Sequence, residues 1–452
     1  MKRDSIQHLT RRRGEHGGMK DSASPRLRVK QTGDLLLGID FGTGGCKVTA
    51  IDPSGAVVES ASGEYPTRHP RPAWAEQNPA DWYRVMCAVL KKLKHRRRVA
   101  AVALDSYTHG AVLLDARMNV VRPTIVWTDQ RSTAECAALK RDHFDLIFKT
   151  SYQAPTPTWT LPQLLWIRNH EPRALKQTRR ISFVKDYVRY LLTGEMACDN
   201  IEAEGTLLWD MKRDCWSDAL CALAGISAGM LPRIGKPTDP AGVVTRAAAA
   251  DTGLPEGTPV VMGASDSAVE GYAAGAIEPG QCILKLATAG NVNVMTAKPH
   301  PHRETLTYSH VVPGLWYTVT ATNSAAVCQR WYRDMFCAPG THYDELDRLA
   351  AGAPPGSNGV FFHPYLQGER SPYWDANLRG SFTGLSMANT RGDFSRALLE
   401  GVAYSLRDCY RTIEKMRLPV REFILIGGGA KSALWGGIVC DLFNKTVKCP
   451  SC

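Results

Sequence analysis

The chain has 452 residues, with 55 Lys or Arg against 44 Asp or Glu, 44% hydrophobic residues, 39 Gly and 27 Pro. That length makes two to four domains of ordinary globular composition. No stretch approaches the roughly 18 apolar residues that a membrane helix needs, and no signal-peptide pattern opens the chain. The 13 cysteines are odd in number and widely scattered, a usage that fits free thiols in a reducing cytoplasm rather than a disulfide framework.

The net charge of +11 is uneven. Residues 1–33 hold nine Lys or Arg against three Asp or Glu and have no apolar periodicity, so they are expected to form a disordered basic leader. The rest of the chain is only mildly basic. A nucleic-acid partner would rest on Arg11-Arg12-Arg13 alone, and none is expected.

Structure is expected to begin at Leu35. Leu35–Phe41 is an apolar strand, Gly42-Thr43-Gly44-Gly45 a turn, Lys47–Ile51 a second strand and Ala56–Ala61 a third. Asn78-Pro79 starts a helix, with an N-cap followed by Pro at N1. Val99–Leu104 is a short buried strand. Three antiparallel strands, a helix and a parallel strand make the opening of a ribonuclease-H-like domain. A second such opening follows: strand, small-residue turn and strand over Gln281–Ala297, a third strand at Trp316–Ala321, and a helix over Asn323–Phe336. Strand Phe423–Ile426 then runs into Gly427-Gly428-Gly429-Ala430-Lys431-Ser432. Two related lobes facing a cleft are expected, with a boundary near Tyr272–Gly280.

Asp40 ends the first strand beside a turn with little side chain. Backbone N–H groups of Gly42 and Gly44 and the Thr43 hydroxyl can approach a phosphate there, Asp40 can hold hydrated Mg²⁺, and Lys47 follows within reach of the same charge. Taken alone, this turn is better explained as a plain glycine hairpin. Ala287-Thr288-Ala289-Gly290 is a second such turn without a carboxylate, and Gly428, Gly429 and Ala430 would let a flat base approach the backbone. Asp266, in Ala264-Ser265-Asp266-Ser267-Ala268, is positioned to take a proton from an attacking hydroxyl, although helix capping by Ser265 or Asp266 is an independent reading. Thr108-His109-Gly110 follows the strand Val99–Leu104, at the end where α/β proteins put ligand contacts.

The stretches GIDFGTGGCK, PAWAEQNPADWY, THGAVLLD, RPTIVWTDQR, FVKDYVRYLLTG, GASDSA and LIGGGAKSALW together resemble the FGGY carbohydrate kinases, and among them the xylulose kinases most closely. The resemblance implies an α/β fold of two ribonuclease-H-like (actin-like ATPase) lobes: 34–274 binding sugar and 275–452 binding ATP. It implies ATP and Mg²⁺ as cofactors, Asp266 as catalytic base, and Asp40 and Asp266 on the metal. Thr43 and Thr288 would lie near the phosphates, Gly428 to Ala430 near the adenosine, and Thr108 and His109 on the sugar. Thr108 and Ser267 stand where the xylulose kinases have Met and Asn. The chain is expected to convert D-xylulose to D-xylulose 5-phosphate; gluconate or another polyol is the alternative substrate, and a non-catalytic sugar sensor the alternative function. A homodimer is left open. Because the family continues beyond Cys452, the second lobe is expected to be incomplete. The last helix, Lys431–Asn444, is then expected to leave Trp435 and Phe443 uncovered.

Overall fold

The computed structural model describes residues 33–375 and 377–450; the leader, apart from Gly33, lies outside the described residues. Strands β1 (Leu35–Gly42), β2 (Gly45–Ile51) and β3 (Val57–Glu64) form an antiparallel meander. In β1 the alternation of apolar and small residues buries Leu35, Leu37, Ile39 and Phe41 on one face. Helix α1 (Pro79–Lys92) starts where expected, the Asn78 side chain accepting the Ala80 N–H, and it buries Trp82, Met86, Val89 and Leu90 against this sheet. Each such side chain contributes about 1.5–3 kcal/mol when removed from water. Strand β4 (Val99–Ser106) returns parallel to β1.

The chain then builds α2 (Val184–Thr193) and α3 (Asn200–Glu204). It re-enters the sheet through β5 (Pro240–Val243), β6 (Pro259–Val261) and the two-residue β7 (Ala264–Ser265), which leads directly into α4 (Asp266–Ala273). The sheet runs β5-β6-β4-β1-β2-β3, with β7 also paired to β4.

The second sheet repeats this plan. Its strands are β8 (Gln281–Leu286), β9 (Gly290–Thr296), β10 (Leu306–Ser309), β11 (Trp316–Thr322), β12 (Glu422–Ile426) and β13 (Val447–Lys448). They lie in the order β10-β11-β9-β8-β12-β13. Both sheets share five strands, an antiparallel meander of three and two more, each parallel to its neighbour, on the far side of the first strand. Each adds one antiparallel edge strand, β5 in the first and β10 in the second. The internal duplication expected from the two similar openings is therefore present, and the second sheet carries its fifth strand within the described residues. Helix α5 (Ala326–Phe336) begins three residues later than expected. The Asn323 N–H and the Thr322 hydroxyl are instead held by the Glu369 carboxylate at 2.8 and 2.6 Å.

One expectation is corrected. Helix α7 (Ala433–Phe443) does not present Trp435 and Phe443 to solvent. Trp435 is fully buried and its indole N–H donates to the Leu399 carbonyl at 3.0 Å. The Phe443 ring lies 5.5 Å from those of Tyr410 and Phe423. The cover comes from within the lobe, from the long helix α6 (Arg391–Lys415) and strand β12.

The lobes are tied together through β10. The Gln153 carboxamide bonds both the Thr307 carbonyl and its N–H, and Glu204 accepts from the Ser309 N–H at 2.7 Å and from its hydroxyl. Burial pushes Glu204 up to about 7 against the pull of these bonds. No helix among the described residues is long and apolar enough to cross a membrane.

Candidate functional site

Three carboxylates meet at the ends of neighbouring strands of the first lobe. Asp40 on β1 is in register with Asp105 on β4, and Asp105 with Ala264 on β7, two residues before Asp266. The Asp40 and Asp105 carboxyl groups are hydrogen-bonded to each other. Two carboxylates in contact cannot both ionise cheaply. Burial first, and then the Asp40 charge, push Asp105 up to about 9, so the pair holds one proton near neutrality. Asp105 was not singled out from the sequence, although an acid ending a buried strand just before Thr108-His109 is a readable signal.

Asp266 is the first residue of α4, and Ser265 occupies its N-cap without a side-chain cap bond, so the capping reading does not hold. Asp266 instead accepts from the Ser267 N–H at 2.7 Å and, more weakly, from its hydroxyl at 3.3 Å. Burial pushes it up to about 6; Lys285 pulls it down, while Glu270 and Asp40 push it further up. That value leaves a carboxylate that is ionised at neutral pH yet basic enough to accept a proton in a transition state.

Gly42 pairs with Gly45, which makes Thr43-Gly44 a two-residue hairpin turn and sets Lys47 opposite Asp40. The Thr43 hydroxyl accepts the Trp127 indole N–H at 2.9 Å and its carbonyl accepts from Gln77 at 2.7 Å. The bond from Trp127 takes one of the hydroxyl oxygen's two lone pairs and leaves the O–H free to donate to a ligand. A Cβ at Gly44 would meet nothing within 4 Å, so that face is open to a ligand.

In the second lobe Thr288 is exposed, its hydroxyl has no partner among the described residues, and its carbonyl accepts the Ala325 N–H at 3.0 Å. The glycine-rich turn packs on this loop. Gly427 has φ +92°, and a Cβ there would lie 2.5 Å from the Leu286 carbonyl oxygen. Gly429 is required by packing, since a Cβ would press on Leu286 and Trp435, whereas Gly428 is exposed and faces open space. Of this motif, Gly428 and the partly exposed Ala430 are thus the positions open to a ligand.

His109 has φ +79° and its Nδ1 donates to the Gly205 carbonyl, which can only accept. Burial holds it down to about 4, so it is a neutral ring whose Nε2 has no protein partner among the described residues. Its ring lies 4.5 Å from that of Trp159, which stacks towards Tyr308 of the second lobe. The His109 N–H donates to Glu202 at 3.3 Å, and Glu202 belongs to a fully buried cluster with Lys185, Asp186, Asp199 and Arg189. Asp186, Cys198 and Asp199 converge like metal ligands, but Lys185 Nζ sits 3.0 and 2.6 Å from the two carboxylates and supplies the cation. Thr108 lies beside it, its Cβ 3.5 Å from a Cβ built at Gly205.

Asp40, Thr43, Lys47 and Asp266 are therefore brought together on one side of a cleft. The second lobe reaches this group through Lys285, on the strand that runs into the Thr288 loop; its Nζ lies 2.6 Å from Glu270. Neither Lys285 nor Glu270 was singled out from the sequence. Hard oxygen donors in excess of their two lysines suit a magnesium ion.

Residues 35–271 match the N-terminal domain of the FGGY family of carbohydrate kinases, and residues 286–452 its C-terminal domain. The chain is 32% identical over 421 residues to a xylulose kinase of Bacillus subtilis, covering 91% of this chain and 84% of that protein. It superposes on a xylulose kinase structure from Rhodospirillum rubrum with a TM-score of 0.84 at 31% identity, covering 92% and 86% of the two chains. A gluconate kinase structure from Lactobacillus acidophilus gives 0.85 at 26% identity, covering 92% and 85%. With both lobes matched in order and the carboxylates gathered at their cleft, this protein belongs to the FGGY family of carbohydrate kinases, phosphotransferases with an alcohol group as acceptor.

Proposed function

We propose that the protein phosphorylates D-xylulose to D-xylulose 5-phosphate at the expense of ATP, with 34–274 as the sugar lobe and 275–452 as the nucleotide lobe. The observation that carries the reading is Asp266: a carboxylate at a helix start, poised near 6, beside the Asp40–Asp105 pair and under the charge of Lys285 from the second lobe. Asp266 would receive the proton of the sugar hydroxyl as its oxygen attacks the γ-phosphorus. Thr43, held by Trp127, and Thr288 would donate to phosphate oxygens, with Gly42, Gly44 and Lys47 on the same side. Gly428 and Ala430 would lie against the adenosine.

Asp40 and Asp266 would hold Mg²⁺, which when bound neutralises phosphate charge. His109 would accept from a sugar hydroxyl through Nε2, with Thr108 beside it. The xylulose kinase relative at 32% identity favours a ketopentose, and the gluconate kinase neighbour makes gluconate the rival. Sugar-dependent ADP release across D-xylulose, gluconate and polyols tests this. The highest kcat/KM is expected for D-xylulose; a preference for gluconate would overturn the substrate, and ADP release independent of every sugar would overturn the activity.

A further inference from the structure

Lys285 is the penultimate residue of strand β8, just before the Thr288 loop, where it interrupts an otherwise apolar run Cys282-Ile283-Leu284-Lys285-Leu286. Its backbone is fixed from both sides, paired with Asn291 on β9 and Ile426 on β12. The side chain crosses the cleft to the other lobe, where Nζ is 2.6 Å from Glu270 Oε2. Asp266 and Glu270 are one helical turn apart on α4 and share a face. The ammonium is therefore held over the same face as Asp266, while its charge also acts on Asp40. One of its three N–H donors is used, and no other protein acceptor engages it among the described residues.

A lysine on the strand that leads to one phosphate loop, delivered beside the acids of the other, stands where phosphate charge must pass between the lobes. We propose that Lys285 is a further phosphate-binding residue: its ammonium, held beside Glu270, engages the phosphoryl group during its transfer. This inference rests on Asp266 being the base. In the step, the sugar hydroxyl oxygen forms the new bond to the γ-phosphorus as the bond from that phosphorus to the β–γ bridging oxygen breaks. The electron pair leaves with ADP, the hydroxyl proton goes to Asp266, and the ammonium offsets charge on the transferring oxygens. A mobile, compact cation suits that task better than a fixed guanidinium.

The test compares Lys285→Met, Lys285→Arg and Glu270→Gln, using turnover and calorimetry with Mg·ADP, with and without aluminium fluoride, in the presence of sugar. Lys285→Met is expected to lower kcat by about 10²-fold, the scale of one lost transition-state donor. Its sugar KM and Mg·ADP affinity are expected to stay within about threefold, while the gain in affinity on adding aluminium fluoride disappears. Lys285→Arg is expected to recover part of that gain, and Glu270→Gln to keep most of it. Lys285→Met at near wild-type kcat overturns the proposal. So does an equal loss in Lys285→Met and Glu270→Gln with a lowered melting temperature, which would make the pair a structural tie between lobes. Asp266→Asn run in parallel separates the two readings: if it stays active, the base is wrong; if it is dead while Lys285→Met is active, only the role of Lys285 falls.

Discussion

Asp40 and Asp105 face each other across neighbouring parallel strands, in register, and share one proton. Asp105 is raised above the ordinary carboxylate range, so the native state binds this proton more tightly than the unfolded chain does. Its stabilising contribution is full below pH 4 or so and is lost as pH rises through about 9. Asp105→Asn keeps a donor to Asp40 without the titration. Wild-type melting temperature should fall more steeply than that of the variant between pH 7 and pH 10, as read by thermal scans. Parallel curves would show that the pair does not hold the proton.

Asp266 provides a test on turnover. With the carboxyl at about 6, the base is ionised above that pH and protonated below it. Turnover should therefore fall as pH drops through about 6 and approach a tenfold loss per unit below it. Asp266→Asn, which still accepts the Ser267 N–H but takes no proton, should lose about 10²–10⁴ in kcat and keep its sugar affinity. Steady-state kinetics and calorimetry check both parts.

The Trp127 indole N–H donates to the Thr43 hydroxyl oxygen at 2.9 Å and holds that oxygen in place. Trp127→Phe keeps most of the packing and removes that bond. A neutral hydrogen bond of about 0.5–1.5 kcal/mol corresponds to a two- to tenfold loss. The loss should fall on kcat and the ATP KM and leave sugar affinity unchanged. A loss confined to sugar KM would place Trp127 on the other substrate.

Trp435 carries stability rather than chemistry. Trp435→Ala removes a fully buried ring together with its bond to the Leu399 carbonyl. It should cost about 3–5 kcal/mol, read by denaturant unfolding of the second lobe. A cost under 1 kcal/mol would mean that α7 is loosely seated.

The sequence was informative wherever structure is local. The β1–β2 hairpin is short in sequence, so a small-residue turn and apolar alternation were enough to bring Asp40, Thr43 and Lys47 together. Asn78-Pro79 specified the start of α1 because a cap acts on N–H groups two or three residues away. The family motifs, strung along the chain, carried the two-lobe fold.

What the sequence by itself determined, then, is a set of short-range devices and their order: hairpin, capped helices, repeated lobe opening and the position of Asp266. Tertiary structure decided the partners. Asp105 meets Asp40 only because a crossover returns β4 parallel to β1, and the register of a parallel pair is fixed by packing rather than by any turn. Lys285 meets Glu270 only because the lobes face each other. The apolar stripe of α7 was visible in the residues, but α6 and β12 determine whether it is covered, and burial depends on everything that packs against it.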